Sequence, residues 1–220
     1  MFFKKKDEFT AIKLYSIGKD QEFINRPVLV EAILDVFQNI LNEMPQDFDI
    51  SGPYGISKGR TVGIESFKNK LQQKGHEKYY ALMGSTENRL GFHALFDAKR
   101  PNTTYTEIIF WFKKGSYTVP FKKIIQTIIG PLGASCAFQF DFVEGFDIFA
   151  ESKIKNGFFG ISVEVNPEKQ QWIDKYESCG YRDLFTFNLF SEEQYSAATK
   201  EHPHLVGEFL NNKYLVANNA

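Results

Sequence analysis

At 220 residues, with 43% hydrophobic and 24% charged side chains, the chain has the composition of an ordinary folded domain and too much apolar surface to stay disordered. A formal net charge of -1 argues against a general nucleic-acid binder, which needs a basic excess to neutralise phosphates. Two cysteines, Cys136 and Cys179, are too few for a disulfide framework and read as reduced thiols.

The first residues, Met1 to Glu8, carry three lysines but no apolar run of the kind a secretory signal requires. Nor does any segment reach the roughly 18 apolar residues of a membrane span. The longest approach, Thr118 to Phe142, is interrupted by Lys122, Lys123, Gly130, Pro131 and Gly133. The expected compartment is the cytoplasm.

In chain order, Glu8 to Ile17 alternates and predicts a strand closed by Gly18. Asn25-Arg26-Pro27 then opens a helix: Asn25 supplies a cap, and Pro27 loses nothing in a first turn. Apolar residues at Val30, Ile33, Phe37, Ile40, Leu41 and Met44 recur at helical spacing up to Pro45. A short strand at Phe48 to Ser51 precedes a glycine loop, Gly52 to Gly63, and a helix from Val62 to Lys74 that stops at Gly75.

Three strands follow closely, Lys78 to Met83, Leu90 to Phe96 and Tyr105 to Lys113. Their short connections require antiparallel pairing, so they form a meander. A helix is predicted over Thr118 to Ile129, ended by Gly130-Pro131. Cys136 to Val143 has period two, with Cys136, Phe138, Phe140 and Phe142 on one side. Asp147 to Lys155 fits helix and loop equally, and Phe158 to Val165 reads as a strand. A helix from Asn166 to Ser178 turns Trp172, Ile173 and Tyr176 inward. Leu184 to Phe190 is the last strand, Ser191 and Gln194 have capping-box spacing, and the tail from Val216 is expected to fray. The sum is a single α+β domain over residues 1–220: a mixed, largely antiparallel sheet with a central three-strand meander flanked by helices. The only seam offered is near 130–135.

No segment carries a strong catalytic or metal-binding motif. The glycine loop contains Tyr54, Lys58 and Arg60, but it has neither Walker A nor G-x-G-x-x-G spacing. Three readings of it stand: a solvated turn loop, an anion site at a helix start, and a protein contact. His202 and His204 have no second ligand pair at a metal-binding spacing. Asp141, Glu144 and Asp147 cluster after a strand, while Glu107, inside the Tyr105 to Lys113 strand, is expected on a wet face. On that face Tyr105 and Trp111 offer aromatic surface for bases or for a protein partner.

The order strand, two helices, meander, helix, strand over residues 8–143 resembles the GNAT acetyltransferases. That resemblance implies acetyl-CoA bound at Phe112 to Pro120, where this chain has the single glycine Gly115. In general type, an aromatic-rich α+β domain without a reactive motif is similar to bacterial immunity proteins, which neutralise a cognate secreted toxin by covering its active site. The sequence therefore predicts a non-enzymatic protein-binding domain without a cofactor, its partner a toxin or effector. The expected contact residues are Tyr54, Lys58, Arg60, Asp141, Glu144 and Asp147. The alternatives are the acyltransferase and a structural component pairing through an edge strand.

Overall fold

The alternating segments assemble into one sheet because every strand but those at the rim has apolar side chains to bury on both of its faces. The computed structural model describes residues 6–18, 24–53, 55–56, 60–99, 103–143, 152–157, 160–165, 174–176, 178, 180–181 and 183–218, with backbone alone between 152 and 165. Nine strands lie in the order β10-β11-β9-β6-β1-β5-β4-β3-β2. They are β1 (Glu8–Gly18), β2 (Asp47–Ser51), β3 (Ala81–Ser85), β4 (Gly91–Lys99), β5 (Thr104–Lys113), β6 (Cys136–Val143), β9 (Phe187–Phe190), β10 (Gly207–Leu210) and β11 (Lys213–Ala217). Each neighbouring pair is antiparallel. β7 (Ser152–Gly157) and β8 (Gly160–Val165) form a separate antiparallel pair. The chain is a single α+β domain, and its predicted meander, β3-β4-β5, extends outward through β2.

Helices α1 (Arg26–Asp35), α2 (Ile64–Lys74) and α3 (Phe121–Leu132) cover one face. Their apolar sides meet Ile12, Leu14, Phe48, Phe92, Ile108 and Phe110 in the main core. Helix α4 (Glu192–Glu201) lies on the opposite face, with Ala198 against Phe190 and Val216. Ser191 and Gln194 form the expected capping box, each side chain bonded to the other's backbone N–H.

Several boundaries differ from expectation. The helical path from Asn25 stops at Leu41, and its last six residues, Val36–Leu41, are π-helical. The buried face is broader than the spacing predicts: Leu29, Leu34 and Val36 join Val30, Ile33 and Phe37 inside, and Ile40, Leu41 and Met44 are only half-buried. Gly130-Pro131 falls within the last turn of α3, and the helix ends at Gly133, whose φ of 61° is left-handed. After α3 the 130–135 stretch is tied to β1, with Ser135 donating its N–H to Tyr15 O and accepting from the Ile17 N–H. Residues 76–78 form a 3₁₀ turn rather than the start of a strand. Of the tail expected to fray, Val216 and Ala217 belong to β11, which pairs with both β9 and β10, and Val216 is fully buried; 219–220 lie outside the described residues. Most of the predicted 166–178 helix, with Trp172 and Ile173, lies outside the described residues; 174–176 are helical, and Tyr176 is buried.

Candidate functional site

A cation at the first position of a helix opposes the helix dipole, and Arg26 occupies that position in α1. Its environment compensates. One guanidinium nitrogen donates to the carbonyls of His76 (3.1 Å) and Tyr79 (2.6 Å). The other pairs with Asp97, and the group stacks on Phe96 with 4.8 Å to the ring centroid. Arg26 thereby ties the start of α1 to the 3₁₀ turn after α2 and to β4. Where the three meet, a cleft of about 830 Å³ opens, lined by Asn25, Arg26, Leu71, His76, Glu77 and Asp97 among others.

Local backbone geometry places the polar groups. Gly75 ends α2 with φ of 83°, and a Cβ there would fall 2.4 Å from Glu77 Oε1; glycine leaves room for that carboxylate. Asp97 has φ of 49° inside a bulge of β4 between Leu95 and Ala98, and its N–H donates to Thr106 Oγ1 (3.2 Å). Bulges re-aim side chains, and this one turns Asp97 toward Arg26. Burial lowers the His76 pKa below the usual imidazole range; the charges of Glu77 and Glu31 oppose the shift, and Arg26 adds to it. The His76 Nδ1 is buried and makes no hydrogen bond among the described residues. Two exposed apolar side chains adjoin the clamp in the chain: Val28 (49%), two residues past Arg26 in α1, and Tyr80 (56%), next to Tyr79.

Of the predicted contact residues, the two that are described, Arg60 and Asp141, do not line the cleft. Tyr54, Lys58, Glu144 and Asp147 are outside the described residues. Arg60 is exposed beside Thr61, which donates to Asp47 Oδ1 (2.8 Å). Asp141 accepts from Thr10 Oγ1 and Lys114 Nζ, both at 2.7 Å. Burial would raise the Asp141 pKa, but those bonds and the Lys114 charge outweigh it and hold the carboxyl below its usual range. Asp141 is on β6, and Arg60 precedes Val62, which bridges Phe48 of β2, so at least five strand spacings separate them, roughly 24 Å at about 4.8 Å each. Two amides of the glycine loop turn inward, from Gly55 to Gly52 O and from Ile56 to Ile50 O. The loop nevertheless touches the cleft's frame: a Cβ on Gly52 would lie 2.7 Å from Lys78 O.

Glu107 is not on a wet face. It is fully buried, with Lys13 Nζ 3.4 Å away and Lys13 itself 1% exposed. The second face of the sheet is covered too, by a cluster joining Tyr15, Tyr105, Cys136, Phe138 and Tyr176. Tyr105 is therefore core and Trp111 half-buried, so among the described residues these two form no open aromatic row for bases. Burial, then the Glu107 charge, pushes the Tyr15 phenol well above its usual pKa. Burial likewise raises the Cys136 thiol, which keeps it protonated and unreactive.

The turn between β5 and α3 also folds inward, with Lys114 N–H donating to Glu8 O and Ser116 N–H to Lys113 O. No group of three or more metal-ligating side chains occurs among the described residues, and the His202 and His204 rings stand 6.1 Å apart at the end of α4. No protein-family model matches the chain, and no curated protein matches it.

Sequence reasoning missed the cleft because its parts come from positions 26, 76–77 and 97. One signal was present: an arginine between a cap and a first-turn proline needs a dedicated partner to offset the dipole.

Proposed function

We propose that this chain is a non-enzymatic protein-binding domain of the cytoplasm, an immunity protein that neutralises a cognate toxin by covering its active site. The observation that carries the binding reading is the clamped cleft at the head of α1, with the exposed Val28 and Tyr80 adjoining its clamp in the chain. Tyrosine beside a preorganised concavity is the usual composition of an interface hot spot. A second set of converging ionisable groups, Lys13, Glu107 and Tyr15, is buried, where it serves the core rather than a substrate.

Affinity capture from the native cell, followed by titration of the captured protein, tests this reading. The expected result is one stoichiometric partner whose toxicity in a susceptible host is relieved by co-expression. Tyr80→Ala should weaken binding by about 2 kcal/mol, roughly thirtyfold, and leave the melting temperature unchanged because the side chain is exposed. Failure to co-purify a partner, or relief of toxicity by no reading frame adjacent to this one, would overturn it. Arg60→Glu, in a full-length chain, reports separately whether the glycine loop belongs to the same interface: an unchanged dissociation constant removes it.

A further inference from the structure

Every donor that Arg26 is seen to use is directed at the protein itself, two toward backbone carbonyls and one toward Asp97. The cleft's only cation among its described lining residues is thus committed. Its acidic groups are not. Glu77 makes no ion pair among the described residues, and Asp97 engages Arg26 through Oδ2 alone, with its side chain 47% exposed. Glu31 adds its field to the same region, since it acts on His76 together with Glu77. The half-buried His76 ring, its pKa lowered by desolvation, adds little positive charge at neutral pH. The lining therefore sums to one negative charge, with carboxylate oxygens as the open acceptors.

The remaining lining combines the polar Asn25 and Gln72 with an apolar side. Ile24, Pro27 and Leu71 line the same cavity and match an alkyl chain rather than a second polar group. Apolar walls leading to carboxylates suit a long side chain with a charged tip, which buries its methylenes and delivers its cation to the acid. The geometry is also set in advance. Asp97 is held by a bulge in the left-handed region and by the Thr106 hydroxyl, and Glu77 occupies the space that Gly75 leaves.

We infer that the cleft receives a single alkyl-linked cation, an ammonium or guanidinium, and that its source is a lysine or arginine side chain on the bound protein. The inference rests on the protein-binding reading above and names the anchor chemistry of that site. A cation seated there meets Glu77 and the outer oxygen of Asp97, with its stem along Leu71 and Pro27. A free polyamine presents the same chemistry, so the test includes both sources.

The experiment is an amide-resolved NMR titration of the full chain with four probes: capped Gly-Lys-Gly, capped Gly-Arg-Gly, capped Gly-norleucine-Gly and spermidine. The two basic peptides are expected to shift Gly75, His76, Glu77 and Asp97 saturably, while the norleucine peptide does not. Glu77→Gln and Asp97→Asn, which keep shape and, for Asp97, the acceptor toward Arg26, should each weaken the basic peptides about tenfold. Their unchanged melting temperatures would show that the fold is intact. Saturable shifts with spermidine alone would overturn the protein side chain as the source. Equal shifts with the norleucine peptide, or none with any probe, would overturn the cation site. Capture of a partner that still binds the Glu77→Gln/Asp97→Asn variant at full strength would overturn it too, and would leave the protein-binding reading standing.

Discussion

Lys13 and Glu107 illustrate what one buried pair does to a sheet. At 3.4 Å, and nearly without solvent, the two charges were desolvated at a cost that their attraction offsets only as a pair. Lys13→Met should therefore destabilise the fold by about 3–5 kcal/mol, because Glu107 loses its balancing charge. Lys13→Met combined with Glu107→Leu should recover most of that loss, and urea denaturation of the three proteins measures both. The same covered face fixes an alkaline limit. Tyr15 and Cys136 have folded pKa values raised above their unfolded ones, so the unfolded chain releases their protons first as pH climbs. Stability is then complete below about pH 8.5, where an unfolded thiol begins to ionise, and falls above it, more steeply past about pH 10 where phenols follow. Cys136→Ala should flatten the part of that decline below pH 10 while the later part remains. The buried Lys13–Glu107 pair was not legible beforehand. Alternation in Tyr105 to Lys113 locates two faces but cannot say whether the second is wet, and the residues covering it come from the far end of the chain.

Elements defined by neighbours in sequence were legible, and those defined by distant packing were not. The capping box at Ser191 and Gln194 was readable because its chemistry spans four residues, and Ser191→Ala should cost about 1 kcal/mol in thermal or chemical unfolding. The meander was readable for the same reason, its short connections leaving only antiparallel pairing. The hairpin of β10 and β11 escaped notice because its strands have four and five residues, too few for a period to show. Its turn does carry a signature. Asn211 and Asn212 both take positive φ, 47° and 59°, which is the two-residue turn that matches strand twist. Asn212→Gly, at a position already left-handed, should raise stability by a few tenths of a kcal/mol, whereas Asn212→Val should lower it by about 1 kcal/mol or more. The π-helical end of the first helix had no such signature: its apolar spacing reads as ordinary α-helix.

At the scale of the whole sheet, the two edges are treated differently, and the difference has a consequence for solubility. The β2 edge is closed by its own loop: Phe48 exchanges both backbone bonds with Val62, and Ile50 O accepts from Ile56. Among the described residues no strand lies beyond the β10 edge. Because Leu210 and Lys213 close a two-residue turn as a bonded pair, the alternation of an antiparallel ladder aims the backbone of Phe209 outward. Its ring is 62% exposed, and the preceding Val206 is 81% exposed. Such an edge invites pairing with another chain. Two features restrain it: the strand is four residues long, and Glu208, ion-paired with Lys122 at 2.7 Å, places a charge at its centre. Exposed pairs of this kind add little to stability, so the role of Glu208 is to repel rather than to hold. Glu208→Val should leave the unfolding free energy within about 0.5 kcal/mol of the parent yet lower the temperature at which light scattering rises on heating. Adding Phe209→Lys to that variant should restore the parent's behaviour, because a cation on the outermost strand again opposes edge-to-edge addition. If scattering were unmoved by either change, association would have to proceed through another surface, and the exposed Val28 and Tyr80, which adjoin the clamp in the chain, would be the next to alter.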